Sequence, residues 1–87
     1  MGQNRCPMDA ALIPQVTQVI VGSEIVALSW CKWCQELFAY LVNSNRDAAG
    51  FAKDSRGGWK IFRAFGSEAD VQMAKVAAAQ VNPDTLA

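Results

Sequence analysis

EIVALSWCKWCQELFAYLV, Glu24 to Val42, is the most apolar long stretch of the chain and decides how the rest is read. It holds two of the three tryptophans and two of the three cysteines, so whatever it forms dominates the core. Val26, Leu28 and Trp30 alternate with Ala27 and Ser29, the period of a strand. From Trp30 onward Trp33, Cys34, Leu37, Phe38 and Leu41 recur at steps of three and four, the period of a helix, with Lys32, Gln35, Glu36 and Asn43 on the opposite side. The stretch therefore reads as a strand that runs into a helix over Cys31 to Asn43, ended by Asn43-Ser44-Asn45, which favour turns.

Working outward, Gln15 to Val21 (QVTQVIV) is rich in β-branched residues and predicts a strand. Gly22-Ser23 then suits a type II′ hairpin turn into Glu24 to Trp30, with glycine supplying the positive φ. The competing reading is one long helix from Glu24 to Asn43 with Ser23 as its N-cap. Downstream, Gly50 to Lys53 predicts a short strand. Asp54-Ser55-Arg56-Gly57-Gly58 is a turn, and Trp59 to Phe65 (WKIFRAF) a further strand. Ser67 stands three residues before Asp70, the spacing of a capping box, and opens a helix over Glu68 to Gln80 that Asn82-Pro83-Asp84 closes. The expected fold is a small α+β domain of ββα–ββα order, an antiparallel sheet with two helices on one face and the other face partly open.

Eighty-seven residues make one domain, 1–87, with 1–8 and 84–87 expected to be flexible. Half the residues are apolar, and eight basic residues balance eight acidic ones. A neutral chain has no single-signed field with which to hold nucleic acid non-specifically or to mimic it. The apolar content instead predicts a homodimer or an apolar patch that meets a partner. Glu24 and Lys32 interrupt the apolar centre, so no membrane span is expected, and the start lacks the apolar core of a signal peptide. Met1 to Cys6 resembles an N-myristoylation start except that Cys6 stands where Ser or Thr is required. Three cysteines, an odd count, predict a reducing, cytoplasmic setting. The chain has no histidine, which removes the commonest general base and zinc ligand.

Three constellations could carry chemistry. Cys31-Lys32-Trp33-Cys34 is a C-x-x-C, and at a helix start the dipole would make Cys31 a nucleophilic thiolate. With its flanks, IVALSWCKWCQELFAYL resembles the strand, C-x-x-C and helix of thioredoxins and glutaredoxins. That resemblance implies thiol redox activity, with Cys31 attacking and Cys34 resolving. The facing proline of those families has no counterpart, since no proline occurs between Pro14 and Pro83. The alternative reading places both cysteines in the core as small hydrophobes. Cys6, Cys31 and Cys34 could also bind zinc, with Asp9 or a second chain completing the four ligands.

The third constellation is basic and aromatic. Arg46, Lys53, Arg56, Lys60 and Arg63 are five of the eight basic residues, and they surround Trp59, Phe62 and Phe65. At strand spacing Trp59, Ile61 and Phe65 would share one face, and Phe62 would lie opposite with Lys60 and Ala64. An aromatic framed by cations has the composition of a binding hot spot. Lys53, Arg56, Trp59, Lys60, Phe62 and Arg63 are thus the expected partner-binding residues. A nucleic-acid backbone or a nucleoprotein would also be drawn to them. The opposing reading is a solvated hairpin whose charges guard an edge strand.

No catalytic triad, phosphate loop or dinucleotide fingerprint occurs, so the expectation is a non-catalytic protein without a cofactor. It would bind and modulate or inhibit a protein partner, in the manner of short phage- or mobile-element-encoded inhibitors such as the anti-CRISPR type, an analogy of size and composition.

Overall fold

The computed structural model describes residues 14–86. Five antiparallel strands follow one another in a simple meander: β1 (Gln15–Val21), β2 (Glu24–Cys31), β3 (Glu36–Leu41), β4 (Arg46–Lys53) and β5 (Trp59–Ala64). One helix, α1 (Glu68–Ala78), follows, and a 3-10 turn spans Pro83–Thr85. The expected ββα–ββα order with two helices is corrected to five strands and one helix among the described residues.

The difference lies in the second half of the deciding stretch. Residues 31–43 are not helical: Cys31 ends β2, residues 32–35 form a turn, and Glu36–Leu41 is a strand. Gln35 closes the turn at φ 55°. Leu37, Ala39 and Leu41 sit opposite Trp30, Leu28 and Val26 and are buried with them. Cys31, Glu36 and Ala27 are buried on the other face. A strand covered on both faces reads as a continuous apolar run, in which steps of three and four arise by chance. Asn43-Ser44-Asn45 does form a turn, but between β3 and β4, with Asn45 at φ 53°. β4 accordingly begins at Arg46, earlier than the short strand expected from Gly50.

The outer elements follow their local signals. Gly22 takes φ 64° in the two-residue β1–β2 turn, as a type II′ turn requires of its first central residue. Ser67 caps α1 by accepting the Asp70 N–H at 3.2 Å, and Asp70 Oδ2 accepts the Ser67 N–H at 3.3 Å, completing the capping box.

The helix lies across β1 to β4 on one face of the sheet. Ala74, Ala77 and Ala78 of α1 are buried against Val26, Leu28, Leu37, Leu41 and Phe51. Alanines let the helix axis approach the sheet closely, so this face forms the main core. Arg46, at the start of β4, ties down the helix start. Its guanidinium holds buried Asp70 in a fork, Nη2 at 2.8 Å from Oδ1 and Nε at 3.2 Å from Oδ2.

Three bulges interrupt the sheet, at Val16 in β1, Ala48 in β4 and Phe62 in β5. The Ala48 carbonyl accepts the N–H groups of both Phe65 and Gly66 at 3.0 Å, which turns the chain out of β5 toward α1. The bulge at Phe62 shifts the alternation of β5 by one residue. Ile61 pairs with Phe51 on the helix side, and Arg63 pairs with Gly50 on the far side. The expected shared face of Trp59, Ile61 and Phe65 is thereby broken. Phe65 stacks instead on Phe38 of the far face, with ring centroids 6.4 Å apart.

Candidate functional site

The β4–β5 hairpin carries the expected binding residues, and the sheet distributes them over three directions. Lys53 and Trp59 pair at the end of the hairpin and belong to the helix side. Trp59 packs edge-on against Trp30 at 5.8 Å and donates its indole N–H to the Val81 carbonyl at 2.9 Å. Lys53 donates to the Leu86 carbonyl at 2.6 Å and lies over the Trp30 ring at 5.2 Å. Both side chains tie the C-terminal segment to the sheet. A groove of about 830 Å³ remains between the hairpin and the end of α1, bordered by Gly58, Trp59, Ile61, Lys75, Val81 and Pro83.

Arg63 faces the far side and is engaged there. Its Nη2 donates to Glu36 Oε1 at 3.1 Å, reaching from β5 to β3 across β4. The crossing is open because residue 50, between them on β4, is glycine. A Cβ at Gly50 would fall on Glu36 Oε2. Glu36 is 1% exposed, and its Oε2 has no hydrogen-bond partner among the described residues. Burial pushes the Glu36 carboxyl above the ordinary carboxylate range. The charge and hydrogen bond of Arg63, and a bond from the Cys34 thiol, oppose this without cancelling it.

What stays outward is Arg56, Lys60 and Phe62. Arg56 occupies the turn, where only its backbone N–H is held, by Asp54 Oδ1 at 3.2 Å. Lys60 is exposed on the far side of β5. Among the described residues neither cation has a side-chain partner. Phe62, on the bulge, is 60% exposed, and the Arg63 guanidinium carbon lies 5.4 Å from its ring centroid. Phe65, stacked on Phe38, is also exposed. The hot-spot composition thus persists in a rearranged set: two exposed rings, Phe62 and Phe65, two outward cations, and Arg63 shared between the Phe62 ring and Glu36.

The C-x-x-C sits in the β2–β3 hairpin. Cys31 is buried at the end of β2, opposite Glu36, and Cys34 is half-buried in the turn. The thiol of Cys34 lies 3.9 Å from Glu36 Oε1. A helix N-terminus, the source of the expected thiolate, is absent at this position, and the Cys34 thiol donates to a carboxylate, that of Glu36. Trp33, one of the two residues between the cysteines, is exposed, with Nζ of the other, Lys32, 5.3 Å from its ring centroid. Of the expected zinc ligands, Cys6 and Asp9 lie outside the described residues, as does the start that resembles a myristoylation signal. Among the described residues no three His, Cys, Asp or Glu side chains are arranged to hold a metal ion.

Sequence reasoning missed Glu36, which periodicity assigns to the solvent face of a helix. No local signal marks it, because its burial depends on Gly50 and Arg63, 14 and 27 residues away. No helix among the described residues is long and apolar enough to cross a membrane. Comparison of the chain with known protein families, curated proteins and solved structures finds no match.

Proposed function

We propose that this chain is a non-catalytic interaction protein that binds an acidic protein surface through β5 and the turn before it. The observation that carries this reading is Phe62, an aromatic side chain 60% exposed on a bulge, beside exposed Lys60 and below Arg63. An exposed ring costs free energy in water that a partner recovers by covering it, and cations at its rim favour an acidic partner and hasten the encounter. Arg56 extends the cationic rim to the hairpin tip, and the groove beside Trp59 can accept a side chain from the same partner. Binding there would modulate or inhibit the partner by occlusion, in the reducing, cytoplasmic setting that the odd cysteine count suggests.

The test is affinity purification from the native host, comparing the wild-type chain with Arg56→Glu/Lys60→Glu and with Phe62→Ser. A protein retained by wild type and lost with both variants, at unchanged circular dichroism, supports the reading. Equal retention by all three removes it. A partner released by nuclease, with affinity falling steeply in salt, would assign the surface to nucleic acid instead.

A further inference from the structure

The two edges of the sheet are built differently. β5 carries Lys60, Arg63 and a bulge at its centre, all of which oppose strand addition. β1 carries no charged residue and no proline in Gln15–Val21, and its bulge lies near one end, at Val16. Beyond that bulge Thr17 to Val21 pair regularly with Leu28 to Glu24. Ile20 is 75% exposed, the most exposed large hydrophobic side chain among the described residues.

The backbone of β1 can be assigned group by group. Val21 and Glu24 flank the two-residue turn and form its closing hydrogen-bonded pair. Pairing alternates from there, so Val21, Val19 and Thr17 direct their N–H and C=O groups toward β2. Two contacts agree with this phase. The Ile25 carbonyl accepts the Val42 N–H at 2.9 Å, pointing away from β1, and the Trp30 N–H donates to the Pro14 carbonyl at 3.2 Å, pointing toward the β1 side. The groups of Gln18 and Ile20 therefore point outward at the edge.

We propose that β1 pairs antiparallel with β1 of a second copy of this chain, about a two-fold axis at Val19, joining two sheets into one of ten strands. In this register Gln18 of each copy exchanges two hydrogen bonds with Ile20 of the other, four in all, using the groups that point outward. Val19 meets its own symmetry mate as a close, non-hydrogen-bonded pair, and Thr17 meets Val21 on either side. These three side chains lie on the helix-side face, where Val19 and Val21 already pack against the core, so the apolar contact is continuous with it. A two-fold places every strand against itself, so a charged edge repels its copy and an uncharged one does not. That is why β1, and not β5 with Lys60 and Arg63, can pair in this way. The bulge at Val16 halts the pairing at one end and the turn at Gly22 at the other, which fixes the register.

Only Thr17 to Val21 of each copy pair, far fewer than the roughly 20–30 residues a side of a standard stable interface, so the dimer exchanges with monomer. The test is sedimentation velocity on the full chain between about 10 and about 500 µM, a range in which so small an interface dissociates. The wild-type chain is expected to shift from monomer to dimer, and Ile20→Lys to weaken association at least tenfold with an unchanged circular dichroism spectrum. Register is tested by oxidation at high concentration. Val19→Cys is expected to cross-link to its symmetry mate, and Ile20→Cys, which faces Gln18 of the other copy, to cross-link at least tenfold more slowly. A wild-type chain that stays monomeric throughout overturns the proposal, as does equal cross-linking by the two cysteine variants.

Discussion

Glu36 and Arg63 form an ion pair that spans a strand neither belongs to: the carboxylate comes from β3, the guanidinium from β5, and they meet at 3.1 Å above Gly50 of β4. The missing side chain at residue 50 makes the pair possible, and the pair anchors the edge strand that carries Phe62. Arg63→Ala is expected to leave a buried carboxylate without its cation. The loss of stability should be about 3 kcal/mol, the low end for a broken buried pair because Arg63 is partly exposed. Glu36→Gln in the same chain should restore much of it. Urea denaturation of the two single variants and the double variant measures the coupling.

Gly50→Ala should destabilise by about 2 kcal/mol, since the added methyl displaces Glu36 into an already packed face. Its signature would be loss of the Arg63 contact, read as a shift of the guanidinium resonances. A simple loss of strand propensity would leave those unmoved, because alanine is no worse in a strand than glycine.

Two buried carboxylates give opposite dependences on pH. The Glu36 carboxyl titrates above its unfolded value because burial disfavours its charge. The folded chain therefore holds that proton where the unfolded chain has released it. The resulting stability is fully present below the unfolded value and is lost as pH rises through the folded one. The Asp70 carboxyl titrates below its ordinary value, chiefly through its hydrogen bonds from Arg46. Its contribution is present above the unfolded value and is lost as pH falls through the folded one. Glu36→Gln should compare more favourably with wild type at pH 7 than at pH 4, and Asp70→Asn less favourably at pH 7 than at lower pH. Chemical denaturation across that range reads both.

How far these features are legible in the sequence depends on their range. The α1 start is written in residues Ser67 to Asp70, and the first turn in Gly22-Ser23, because capping and positive φ are local demands. Residues 31–43 are apolar at both helical and strand spacings. What decides for the strand is non-local: Leu37, Ala39 and Leu41 meet Trp30, Leu28 and Val26, and Glu36 finds Gly50 and Arg63. The candidate site is legible as a composition, cations around aromatics. Which cations are already engaged follows from pairings 24 and 27 residues apart and from a bulge that no local pattern marks.

The cysteines should differ in reactivity by position. Of the two described cysteines, Cys31 is fully buried and Cys34 half-buried in a turn, so alkylation of the folded chain should modify Cys34 before Cys31 and reach Cys31 only on unfolding. Mass mapping after timed iodoacetamide exposure checks this. Rapid modification of Cys31 in the folded chain would revive the thiol-redox reading.

The most direct measurement of the binding reading is hydrogen exchange on the complex with the purified partner. Protection is expected to rise over residues 59–65 and the 54–58 turn, and Phe62→Ser, which should change stability by no more than about 0.5 kcal/mol, should abolish it. Protection that appears elsewhere, around Trp33 for example, while 54–65 exchange as in the unbound chain, would contradict the account.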